Sequence, residues 1–134
     1  MLTSTRKLHF KTEDAYNGLA AVQGILRLEK QTIILEYQVK DNIIGMIKSK
    51  PKDLRIPYEE LEEVSYKVNW FVSNFRLHVS SMRILGEFPA GKDGVIKLRI
   101  NRKQKESAKQ LASHINLTLS EYRLKMMGDD EEFL

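Results

Sequence analysis

The sequence predicts a mainly β domain closed by one C-terminal α-helix. Three observations carry that expectation. Apolar and polar residues alternate in short runs between residues 6 and 100, as in strands with one buried and one wet face. Turn-forming residues separate the runs, most clearly Pro89, Gly91, Asp93 and Gly94. Beyond Asn101 the apolar spacing becomes that of a helix.

The elements follow in order. Leu8 and Phe10 alternate with Lys7, His9 and Lys11 in a first strand over residues 6–11. Residues 18–29 and 32–40 read as a long antiparallel hairpin around the polar connection Glu29-Lys30-Gln31. Ile33, Leu35, Tyr37 and Val39 share one face of its second arm, and Glu36, Gln38 and Lys40 share the other. Gly18 and Gly24 mark a bend, bulge or close backbone approach of the kind that curls a small barrel. Residues 41–53 are a loop around a poor strand, ended by Pro51. Leu54 and Ile56 make a short strand that Pro57 stops, and a turn with Glu59, Glu60, Glu62 and Glu63 follows. Val64, Tyr66 and Val68 restart the alternation. Phe75, Leu77 and Val79 form the next strand, Met82 to Leu85 another, and Ile96, Leu98 and Ile100 the last.

The helix is expected over about residues 102–125. Ala108, Leu111, Ala112, Ile115, Leu119 and Tyr122 form its apolar stripe. Lys105, Lys109, Ser113, Asn116, Ser120 and Arg123 take the opposite side. Asn101 is the expected N-cap, with Gln104 completing a capping box. Gly128 is the expected stop. One domain over residues 1–128 and a short acidic tail over 129–134 result.

This order of elements resembles the pleckstrin-homology-like (PH-like) domain, in which a C-terminal helix caps one open end of a bent sandwich of about seven strands. Ile56, Pro57, Leu61 and Val64 within LRIPYEELEEVSY resemble a stretch of stand-alone prokaryotic and GRAM-like members. VIKLRINRKQKESAKQLASHI (95–115) resembles their last strand and helix junction. The likeness runs from Gly18 to Arg123, leaving room for one extra N-terminal strand. It implies a binding fold, a class that hosts many unrelated roles. Phosphoinositide-binding members carry several cations around the first hairpin. Here that region offers Arg27 and Lys30, beside Glu36 and Gln38, so their usual site is not expected.

Composition narrows the chemistry. A chain of 134 residues, 42% hydrophobic and 30% charged, is enough for one domain with a real core. Without cysteine it has no disulfide and no thiolate nucleophile or ligand. His9, His78 and His114 share no metal-ligand spacing, and no glycine-rich phosphate loop is present. The expectation is a protein that is not an enzyme and has no cofactor or metal. Asn116-Leu117-Thr118 fits a glycosylation acceptor but falls within the helix. No apolar run resembles a signal peptide or membrane span, so the expected location is the cytoplasm, with peripheral membrane attachment as the variant.

Charge and aromatic residues supply the candidate site. The net charge is +4. Four of the 18 carboxylates lie in residues 129–134, and the other 14 against 22 Lys and Arg leave +8 over residues 1–128. Lys97, Arg99, Arg102, Lys103, Lys105 and Lys109 cluster within 13 residues, opposed only by Glu106. The cluster suits a phosphate, a lipid headgroup or an acidic partner, or is simply a solvated face. Nucleic acid is not expected, because no aromatic residue interleaves with these charges. Trp70 and Phe71 are adjacent, so strand parity allows at most one into the core. Counting from Val64, Tyr66 and Val68 sends Trp70 inward, whereas counting back from Phe75 sends Phe71. The other ring is either an ordinary, partly covered surface ring or an anchor for a partner or a membrane. The leading expectation is a module for protein contacts, including contacts with itself, through exposed sheet edges or the Trp70/Phe71 tip, with head-to-tail pairing of the acidic run and the basic cluster as one mode of self-association. The alternative is peripheral binding to anionic lipid headgroups.

Overall fold

The structure, a computed structural model, describes residues 7–15, 20–41, 50–85, 88 and 91–131. Eight strands lie in one antiparallel sheet. They are β1 (Lys7–Ala15), β2 (Ala20–Glu29), β3 (Thr32–Asp41), β4 (Lys52–Pro57), β5 (Leu61–Val68), β6 (Ser73–Val79), β7 (Gly91–Lys92) and β8 (Val95–Ile100). Seven follow the path β4-β3-β2-β1-β8-β6-β5, and the two-residue β7 pairs with β8. Among the described residues the one α-helix, α1, spans Lys105–Glu131 after a 3-10 turn at Arg102–Gln104. A mainly β fold with one C-terminal helix is therefore the architecture.

Alternation dictates which face is buried. Leu8, Phe10, Val22, Leu26, Leu28, Ile33, Leu35, Tyr37, Leu54, Ile56, Val64, Phe75, Leu77, Ile96, Leu98 and Ile100 point into one continuous core. The predicted helix stripe meets them there, with Ala108, Leu111, Ala112, Ile115 and Leu119 buried and Tyr122 packed alongside. Lys30 adopts φ 54° in the tight β2–β3 turn, and Asp93 and Gly94 adopt φ 57° and 77° between β7 and β8. Such conformations suit two-residue hairpin loops. Gly24 faces Tyr37 in the β2–β3 ladder, where the backbones meet too closely for a side chain. Gly18 and most of the predicted 41–53 loop lie outside the described residues.

Three sequence expectations need correction. Met82–Leu85 is a 3-10 turn rather than a strand. Ser81 drives it, since its hydroxyl accepts from Arg83 N and its carbonyl from Ile84 N. Leu85 and Phe88 are thereby delivered into the core, and Phe88 stands edge-on to Tyr37 at 4.8 Å. Gly128 does not end the helix, which continues into the acidic run as far as Glu131. It lacks the positive φ of a C-terminal cap, and a helical glycine costs only about 1 kcal/mol. Asn101 is the N-cap, accepting from Lys103 N at 2.9 Å, but of the 3-10 turn. The side chain of Gln104 turns elsewhere, as described below.

α1 fills the gap between the two ends of the sheet. On one flank the Asn116 amide pairs with β5 as another strand would, Nδ2 donating to Val64 O at 2.8 Å and Oδ1 accepting from Val64 N at 3.1 Å. Arg123 Nη2 donates to Leu61 O and Glu62 O. On the other flank, just past β4, the Tyr58 hydroxyl lies 2.5 Å from that of Thr118, and its ring meets Tyr122 edge-on. Asn116 and Arg123 therefore work against the sheet, although Arg123 remains exposed. An unpaired edge is a template for another chain, and these contacts cover this one. Asn116→Ala strands both polar groups of the buried Val64, so we expect a loss of about 2 kcal/mol in urea unfolding. An unchanged midpoint would mean that water replaces the amide.

Candidate cationic cleft and aromatic tip

The β5–β6 hairpin ends in the four residues Asn69 to Val72, since Val68 and Ser73 form its last ladder pair. The Asn69 side chain shapes this turn by accepting from Phe71 N at 2.8 Å and Val72 N at 2.9 Å. Asn69 N closes it by donating to Val72 O at 2.8 Å. Trp70 and Phe71 occupy the two central positions, and each is 88% exposed. The parity argument fails here because the chain is turning, not extended. Both rings are outside, and neither enters the core.

A ladder row of cations stands directly behind the tip. Lys67 of β5 faces Asn74 of β6, Asn74 faces Arg99 of β8, and Arg99 faces Lys11 of β1. Lys67, Arg99 and Lys11 are exposed on the outer face. One row further back, Lys97 faces Arg76. Arg102, in the turn leading to α1, ties this region to the tip by donating from Nη2 to Trp70 O at 3.1 Å. Three of the predicted residues, Phe71, Arg99 and Arg102, therefore come together, with Trp70 joined to them through its backbone. Lys97 shares the sheet face with Arg99, and Lys103, Lys105 and Lys109 lie exposed along the start of α1. Lys109 is 4.0 Å from Glu106.

Between the tip and the start of α1 lies an open cleft of about 620 Å³. Its lining includes His9, Lys11, Phe71, Arg99, Asn101, Arg102 and Gln104, and no carboxylate is among the described residues that line it. It exists because β8 leaves the sheet after Ile100. β1 and β8 pair only at Phe10–Ile100 and Lys11–Arg99. At the next position the Gln104 amide stands in for the missing strand, accepting from His9 N and donating to His9 O, both at 3.0 Å. Sequence reasoning missed that His9, Lys11 and Gln104 line the same cleft as Arg99. The wet face of β1 was visible, but nothing local says that β1 and β8 are neighbours.

The remaining candidates separate. β8 lies between the strands of His9 and His78, so these two histidines do not meet. His78 instead lies 4.0 Å from Glu63. Glu60 accepts from the Ser80 hydroxyl at 3.0 Å. This acidic run sits at the far end of the hairpin from Trp70, about 26 Å away at the usual rise per strand residue. Away from the cleft, Arg27 bridges Glu36 and Glu29, and the Glu36 hydrogen bond chiefly raises its pKa above the ordinary value. Among the described residues no group of three or more His, Asp or Glu gathers as a metal site, and no helix is long and apolar enough to cross a membrane.

No family model, curated protein or solved structure matches this chain. The functional reading therefore starts from the tip and the cleft.

Proposed function

We propose that this chain is a non-catalytic, PH-like binding module that docks peripherally on anionic membrane surfaces through its β5–β6 tip. One observation carries the reading: two adjacent, exposed rings project from a turn with cations one ladder row behind them. Full burial of an aromatic ring is worth about 1.5–3 kcal/mol, and a cation near an anionic leaflet about 1 kcal/mol. Neither signal alone holds a domain at a membrane, and their combination does. Three residue steps separate Trp70 from Lys67, roughly 10 Å at the usual strand rise. That offset matches an interfacial depth at which rings meet acyl chains while Lys and Arg meet headgroups. The seven-strand path and the helix across its gap support the PH-like resemblance.

Sequence alone favoured protein contacts through the same residues. The geometry favours lipid, because the rings protrude from a narrow tip instead of lying flat across a sheet. Trp70 is the only tryptophan, so its emission reports on the tip directly. In the free protein we expect the red emission of a solvated indole. Vesicles containing anionic lipid should shift it to the blue, neutral vesicles should not, and salt should reverse the change. A blue shift without lipid that grows with protein concentration would assign the tip to contacts between copies. A shift caused only by a single-stranded oligonucleotide would assign it to base stacking.

A further inference from the structure

We infer that the outward face of α1 pairs two copies of this chain as antiparallel helices, which aims their aromatic tips in opposite directions. The pairing stands on α1 alone, and the use of the two tips rests on the membrane reading above. Among the described residues, the large apolar side chains left exposed are Trp70 and Phe71 at the tip and Leu117, Leu124, Met126 and Met127 on α1. Gln110, Ser113, Leu117, Ser120, Leu124 and Met127 recur at alternating intervals of three and four residues, and all are exposed. That repeat of about 3.5 residues is the seam along which helices pair. It lies on the other side of α1 from the buried Leu111, Ile115 and Leu119. Serines between the leucines let a second helix approach closely.

The charges of α1 fit a second copy running the other way. Its approach and first turns carry Arg102, Lys103, Lys105 and Lys109, opposed by Glu106 at 4.0 Å from Lys109. Its last turn carries Asp129, Asp130 and Glu131. Both ends oppose the helix macrodipole, which favours acids at the start and bases at the end. A parallel partner gathers like charges at each end, whereas an antiparallel one sets each unfavourable end beside its opposite. With Leu124 against the partner's Ser120 and Leu117 against the partner's Met127, large side chains meet small or flexible ones. The partner's Glu131 then lies opposite Ser113, one helical turn from Lys109. The same pairing sets the direction of the tips. Arg123 meets β5 at Leu61 and Glu62, Asn116 meets it at Val64, and Arg102 reaches Trp70. α1 and β5 therefore run in opposite directions, with the tip at the start of α1. In the pair the two tips lie at opposite ends, roughly 60 Å apart, so one dimer bridges two membranes instead of gripping one twice.

The test begins with sedimentation of the full chain without lipid. We expect a dimer at micromolar protein, and Leu117→Gln/Leu124→Gln should weaken association about 100-fold. Both leucines are exposed in one copy and glutamine suits a helix, so circular dichroism should show the variant still folded. The chain has no cysteine, so Lys105→Cys carries one spin label per copy. The antiparallel pair sets the two labels roughly 50 Å apart, and a parallel pair sets them within roughly 20 Å. A monomer at these concentrations, or a dimer that the leucine variant leaves intact, overturns the inference. Labels at the short distance overturn the antiparallel arrangement. Vesicles containing phosphatidylserine, followed by light scattering, should cluster with the parent and bind the leucine variant without clustering. A dimer that binds these vesicles and leaves them dispersed overturns the opposed tips. A dimer that binds no vesicle leaves the pairing standing and removes the membrane reading.

Discussion

The double variant Trp70→Ser/Phe71→Ser should bind anionic vesicles about 100-fold more weakly than the parent while unfolding at the same urea concentration. The two halves of this expectation have separate causes. Transfer of two rings into the interface is worth about 3–6 kcal/mol if complete, and a loss near 3 kcal/mol accounts for two orders of magnitude. Stability is untouched because both side chains stand in solvent. The turn they occupy is shaped by Asn69 and by the backbone of Val72, which the variant retains. Serine is at ease in such a turn. Vesicle sedimentation and urea unfolding check the two halves independently. Unchanged vesicle binding would remove the tip from the mechanism and leave only the cationic row. A lowered midpoint would mean that the rings support the fold after all.

Gly24→Ala should be the most damaging single-methyl substitution, costing more than about 3 kcal/mol or preventing folding. A β-carbon at Gly24 would fall inside the contact envelope of Glu36 O and 2.8 Å from Tyr37 Cα. Both are main-chain atoms in the middle of the β2–β3 ladder, so no side-chain rotation relieves the clash. The same methyl at Gly128 meets nothing within 4 Å. Because Gly128 is helical, Gly128→Ala should raise stability by up to about 1 kcal/mol. Chemical denaturation of the two variants side by side separates steric from entropic effects of one substitution type. A folded Gly24→Ala protein with an unshifted midpoint would show that β2 and β3 lie further apart than described.

The strands were legible because one face of each is buried, and burial of one face writes alternation into the sequence. Leu8, Leu35, Phe75 and Leu98 each sit where period two places them. The helix stripe was legible for the same reason. What failed was information carried by partners distant in sequence. Gln104 looks like half of a capping box until β1, 95 residues earlier in the chain, offers it His9. Asn116 and Arg123 look unpartnered until β5 presents an uncovered edge. The basic residues around Arg99 were visible as a run, but the cleft needs Lys11, and only the β1–β8 pairing supplies it. Trp70 and Phe71 failed differently. Parity presumes an extended chain, and the Asn69 side chain makes the chain turn at that point.

The helix lying across the seam also fixes the order in which the molecule can be completed. β1 pairs with β8, so the sheet cannot bend round until residue 100 has been made. The β5 edge then waits for Asn116 and Arg123. During synthesis every strand exists before the one element that seals them. Closing contacts across so much chain makes folding slow, because the entropy of a long loop is surrendered before those contacts form. The newly made chain thus passes through an interval in which its sheet is assembled but still has a reactive margin. The helix, by arriving, ends that interval.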